Sequence, residues 1–160
     1  MTNKSEFFHY LRAYGGIKAL LKSSYVWFSC LITIVIYDFV DGWKWYKSAL
    51  SVLPNLLGFS LGGYAIMLAL GDKEFQHAIK GCEDGENASP YLEASASLAH
   101  FVLIQAIALL AAVFSDALSL TKNFFLIPGC WIYFYAISLT IASTFTVFFL
   151  SRMYDKAPKK

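Results

Sequence analysis

The stretch LPNLLGFSLGGY, residues 53–64, decides how the rest of the chain is read. A proline, an asparagine and three glycines weaken a helix in water, yet here they sit inside a long apolar run. In lipid the same residues are useful. Hydrocarbon is as apolar as leucine, so helices associate there through close backbone approach and hydrogen bonds between side chains. Gly58 and Gly62 form a GxxxG pair, Gly63 and Ala65 widen the small surface, and Asn55 and Ser60 supply polar groups. In a span over 49–70, Pro54 falls in the first turn or two, where its missing N–H costs least. The motif is expected to be a close-packing surface, either within one subunit, between subunits, or around a pore axis.

Composition places the surrounding chain in the same solvent. Of 160 residues, 58% are hydrophobic, 18% are aromatic and only 15% are charged, whereas soluble domains carry about 25% charged residues. The length allows a single domain, residues 1–160. Four apolar segments approach the ~20 residues needed to cross ~30 Å of hydrocarbon: about 24–40, 49–70, 91–114 and 124–150. None alternates as a barrel strand does. The fold class expected is all-α, a polytopic membrane protein with a four-transmembrane-helix bundle.

The basic residues set the orientation. Ten of the 13 fall on one side: Lys4, Arg12, Lys18 and Lys22 before the first span, Lys73 and Lys80 between the second and third, and Arg152, Lys156, Lys159 and Lys160 in the tail. Lys44, Lys47 and Lys122 fall on the other. Both termini are therefore expected in the cytoplasm, in a bacterial inner membrane. The outer loop DGWKWYK, 41–47, carries Trp43, Trp45 and Tyr46, rings suited to the headgroup layer.

Two cytoplasmic segments carry further patterns. Before the first span, Phe7, Leu11, Tyr14, Ile17 and Leu21 recur at helical spacing with basic residues between them. They predict an N-terminal amphipathic interfacial helix over 5–22, with Gly15-Gly16 as a hinge. The loop 71–90 is acidic. Its Asp72, Glu74, Glu83, Asp84 and Glu86 form either a solvated hairpin or a docking surface for a cytosolic protein partner.

Polar groups within the spans are the remaining candidates. In the fourth span Ala136, Thr140 and Thr144 recur every four residues, and a tight contact with the second span is expected there. In the third, Glu93 and His100 are seven residues apart and share a face, either as a proton-sensitive pair or as separate groups satisfied by water and by a neighbouring hydroxyl or carbonyl. Gln105 lies off that face. Asn55, Glu93, His100 and Gln105 together are the candidate pore-lining residues. Cys30, Cys82 and Cys130 are widely spaced, with neither a disulfide framework nor zinc-ligand spacing. No catalytic motif, metal or cofactor signature is present, so an enzyme is not expected. A net charge of +2 without a basic block argues against direct nucleic-acid binding.

The run LPNLLGFSLGGYAIMLALGDKEF, 53–75, passing from the second span into the acidic loop, resembles small four-span bacterial inner-membrane proteins of anti-phage defence and phage exclusion. The membrane subunit of the two-component Kiwa system is one such family. The resemblance is one of topology and length over most of the chain and transfers no functional residue. It implies an oligomeric membrane sensor or effector, a homo-oligomer engaging a cytosolic partner. The competing readings are a small ion channel that depolarises the membrane and an accessory transporter subunit.

Overall fold

A computed structural model describes residues 10–11, 13–39, 43–69, 90–119 and 123–156. The described residues form five principal helices: α1 Gly16–Lys22, α2 Ser24–Phe39, α3 Trp45–Ala69, α4 Pro90–Ala117 and α5 Asn123–Lys156. Short helical stretches at 10–11 and 13–14 precede α1. Three helical segments, Trp45–Ala69, Tyr91–Ala117 and Leu126–Met153, are long and apolar enough to cross a membrane, and a fourth apolar helical segment, Ser24–Ile36, is shorter. The acidic residues Asp72, Glu74, Glu83, Asp84 and Glu86 lie outside the described residues.

The distribution of side chains is that of a membrane protein. Trp27, Phe28, Leu31 and Ile34 of α2 and Phe145 and Phe148 of α5 are each more than half exposed. Ser29, Thr33, Ser60, His100, Gln105, Ser138 and Ser143 are buried. This inverts the arrangement that water selects. The hydroxyls are tolerated because many bond back along their own helix: Ser29 Oγ donates to the Tyr25 carbonyl, Thr33 Oγ1 to Ser29, Ser138 Oγ to Phe134 and Ser143 Oγ to Thr140. Ser29 and Ser138 also approach each other across α2 and α5, Oγ to Oγ, at 3.5 Å.

Helix α3 packs most extensively against α4, and α5 closes the bundle against α2, α3 and α4. The tightest pairing is thus the second span with the third, where sequence spacing pointed to the second and fourth. The reason lies in which residues of α3 turn inward. Trp45, Tyr46, Ala49, Leu53, Ser60 and Met67 are its buried residues. Ala49 and Leu53 meet Ala108 and Ala112 of α4 and Ala136 of α5 in one core. A second core, with Met67, Leu98, Phe101, Tyr135 and Leu139, fills the other end.

Asn55, Gly58, Gly62 and Ala65 are exposed, on the face of α3 about 160° from the buried row. A Cβ built on Gly58 or Gly62 meets nothing within 4 Å, and one on Gly63 only grazes Val147 at 3.9 Å. Among the described glycines of the long helices, the one that packs closely is Gly129 of α5. A Cβ there would enter the indole of Trp45, 2.7 Å from its Nε1. Trp45 and Tyr46 are consequently core residues, 3% and 4% exposed, rather than members of a headgroup belt. Because α3 begins at Trp45 and not near residue 49, Pro54 stands well inside it. The exposed proline leaves the carbonyl of half-buried Leu50 without its intrahelical donor.

Candidate functional site

The described polar groups converge on His100. It lies ten residues into α4, is 3% exposed, and is held from three parts of the chain. Tyr10 Oη lies 2.6 Å from its Nδ1, and Tyr135 Oη of α5 lies 3.0 Å from its Nε2. The Tyr14 ring stacks on the imidazole, with centroids 4.2 Å apart and planes 29° from parallel. Tyr14 is in turn hydrogen-bonded to Tyr135. Phe101 meets the imidazole edge-on, and Trp131 stacks on Tyr135 at 5.6 Å.

One assignment of protons satisfies this network. A neutral imidazole offers one N–H and one lone pair. If Tyr10 donates to Nδ1, Nε2–H donates to the Tyr135 oxygen, and Tyr135 O–H is free to donate to Tyr14. Every group then has a partner, as burial demands. Burial pushes the Tyr10 phenol up to about 12, with Tyr14 adding to the shift, and burial also raises Tyr14. Both phenols therefore keep their protons at neutral pH and remain available as donors.

The local chain positions Tyr10 and Tyr14 for this contact. They are four residues apart, in the helical stretches at 10–11 and 13–14, and their rings stack with centroids 6.4 Å apart. Gly15 and Gly16 have φ of 95° and 71°, a conformation that costs L side chains about 1–2 kcal/mol. The amphipathic stretch over 5–22 lies partly outside the described residues, at 5–9 and 12. Gly15-Gly16, expected as its hinge, is left-handed at both positions, so the described residues before Gly15 are set apart from α1, and Tyr10 and Tyr14 reach the bundle. Sequence analysis singled out His100 and Tyr14 but missed Tyr10 and Tyr135; the Tyr10–Tyr14 spacing, directly before a Gly-Gly pair, was the available signal.

The other candidate residues are dispersed. Gln105 is fully buried; its Nε2 donates to Thr140 Oγ1 at 3.4 Å, while its Oε1 has no partner. Thr144 is exposed and donates to the Thr140 carbonyl. Ala136 is in the core. Glu93 is exposed in the first turn of α4, lining a cavity away from the His100 ring's bonded partners. Asn55 is on the outer face of α3, so the structure does not bring it together with His100 and Gln105. Among the described residues no three His, Cys, Asp or Glu side chains cluster as a metal ion requires.

The site holds Tyr10 and Tyr14 of the N-terminal segment against the bundle. No protein-family model matches the chain, nor does any curated protein or solved structure.

Proposed function

We propose that the protein is a non-enzymatic subunit of an oligomeric sensor or effector in a bacterial inner membrane, built of four spans with both termini in the cytoplasm. Helix α2 is the first of these spans. Its 16 residues extend about 24 Å, a mismatch that bilayers absorb by thinning or by snorkelling side chains. The excess of Lys and Arg before α2, in the loop 71–89 and from the end of α5 onward orients both ends inward. The N-terminal segment lies at the cytoplasmic interface and is the element whose docking on His100 reports the state of the bundle. The acidic loop is the surface offered to a cytosolic partner, and anti-phage defence is the setting that the resemblance of residues 53–75 implies.

The observation that carries the oligomer is the outer face of α3. Asn55 lies ten residues, about 15 Å along the axis, from the start of α3, and has no hydrogen-bond partner among the described residues. An amide turned toward lipid is costly. A second copy of the same face relieves that cost by pairing Asn55 with Asn55, and the open surface at Gly58 and Gly62 lets the backbones approach. Cysteine cross-linking tests this in a chain whose native cysteines are replaced by serine. Gly62→Cys is expected to oxidise to a covalent dimer in membranes, whereas Ile34→Cys, on the exposed face of α2, stays monomeric. Equal cross-linking at the two positions contradicts the interface.

A further inference from the structure

At the end of the bundle where α4 begins, a cavity of about 370 Å³ opens between α2, α4 and α5, lined by Tyr25, Glu93, Ser97, Phe145, Thr146 and Phe149 among others. Its wall is mostly apolar, and its floor includes the buried Ala94 and Ala142. Phe145 and Phe149 are 64% and 48% exposed, so the cavity is continuous with the apolar surface of α5.

The polar groups of the cavity are biased toward accepting hydrogen bonds. Glu93 contributes a carboxylate that pairs with no cation among the described residues. Thr146 already donates its hydroxyl proton to the Ala142 carbonyl at 3.1 Å, which leaves its oxygen as an acceptor. The Ser97 hydroxyl can accept as well. A primary ammonium is the complement: three N–H donors, no acceptor and one positive charge. The phenyl faces of Phe145 and Phe149 also favour a cation. Charged groups outside the cavity have the opposite sign. Arg152 is three residues beyond Phe149 and Lys22 three before Tyr25, both exposed and both toward the same end of the bundle. A carboxylate inside and two cations outward match a zwitterion whose anionic group sits beside its ammonium.

We propose that this cavity seats the headgroup of an aminophospholipid. Its primary ammonium meets Glu93, Ser97 and Thr146, its phosphate lies within reach of Arg152 and Lys22, and an acyl chain runs along Phe145 and Phe149. A choline headgroup has no N–H to offer the three acceptors, and a glycerol headgroup has no cation for Glu93.

Native mass spectrometry of the full chain, released from bilayers containing equal parts of phosphatidylethanolamine, phosphatidylcholine and phosphatidylglycerol, tests the assignment. The wild type is expected to retain the ethanolamine lipid over each of the others by about threefold or more. Glu93→Gln keeps the shape and loses the preference. Ala142→Phe fills the cavity and loses all selective retention. Asp116→Asn, at the far end of α4, leaves the preference intact. Equal retention of the three lipids by the wild type, or an undiminished preference in Glu93→Gln, overturns the proposal. Dodecylammonium is the free-amine arm. If it displaces the ethanolamine lipid as well as added ethanolamine lipid does, the site reads a bare amine and the lipid assignment fails; weaker displacement supports the lipid.

Discussion

Gly129 and Gly62 look alike in the sequence, each a glycine within a long apolar helix, and they occupy opposite environments. A Cβ on Gly129 would enter the Trp45 indole, whereas a Cβ on Gly62 would meet nothing. The first glycine makes room inside one subunit, and its hole is filled by the largest side chain available. The second opens onto the surface of the chain, where the proposed second copy would sit. The sequence marks Gly62 as a close-approach position and carries no sign of Gly129; the identity of the neighbour is what distinguishes folding from assembly.

The largest expected effect is at Gly129. Overpacking of a filled core costs about 1–3 kcal/mol, and Trp45, 3% exposed, has little space into which to retreat. Gly129→Ala is expected at the upper end of that range, read as a lowered unfolding midpoint in detergent, and Gly129→Leu is expected to yield no folded bundle. A wild-type midpoint for Gly129→Leu would show that the Trp45–Gly129 contact is not part of the fold.

The next effect belongs to His100. Removing the ring takes away the acceptor of the Tyr10 hydroxyl and the donor to the Tyr135 oxygen, at about 0.5–1.5 kcal/mol for each lost bond. His100→Ala is expected to speed hydrogen exchange throughout 10–22 while leaving 45–69 protected. Unchanged exchange at 10–22 would show that the tyrosine contacts do not hold the N-terminal segment.

A smaller effect is set by Tyr10. Its folded-state pKa of about 12 stands above the unfolded value of 10.0. The stabilisation it provides is therefore whole below pH 10 and is lost as pH rises through about 12. Proteolysis of the N-terminal segment, followed from pH 8 upward, is expected to stay level to about pH 10 and then to accelerate. Acceleration at pH 8–9 would contradict that shift.

These contrasts also mark what the sequence could convey. The apolar runs were legible because crossing hydrocarbon fixes a minimum length, and His100 stood out because an ionisable group at depth requires a partner. Which face of α3 turns inward was not legible. In lipid both faces are apolar or small: Leu53, Ser60 and Met67 on one row differ little in hydropathy from Gly58, Gly62 and Ala65 on the other. A soluble helix would have betrayed its core by contrast with charge. Trp45 read as a headgroup anchor because aromatic rings gather at span ends, and its true partner, Gly129, is 84 positions away. Tyr10 lies 90 residues from His100. It becomes relevant only through the turn at Gly15-Gly16, whose direction no local pattern specifies.

The central claim is that the inner and outer small-residue faces do separate work, and Gly62→Leu tests it most directly. Its mass in detergent, measured by light scattering alongside its unfolding midpoint, is expected to fall from that of the wild-type oligomer to that of one chain while the midpoint stays within about 0.5 kcal/mol of the wild type. An unchanged mass, or a midpoint that collapses together with the mass, would contradict the account.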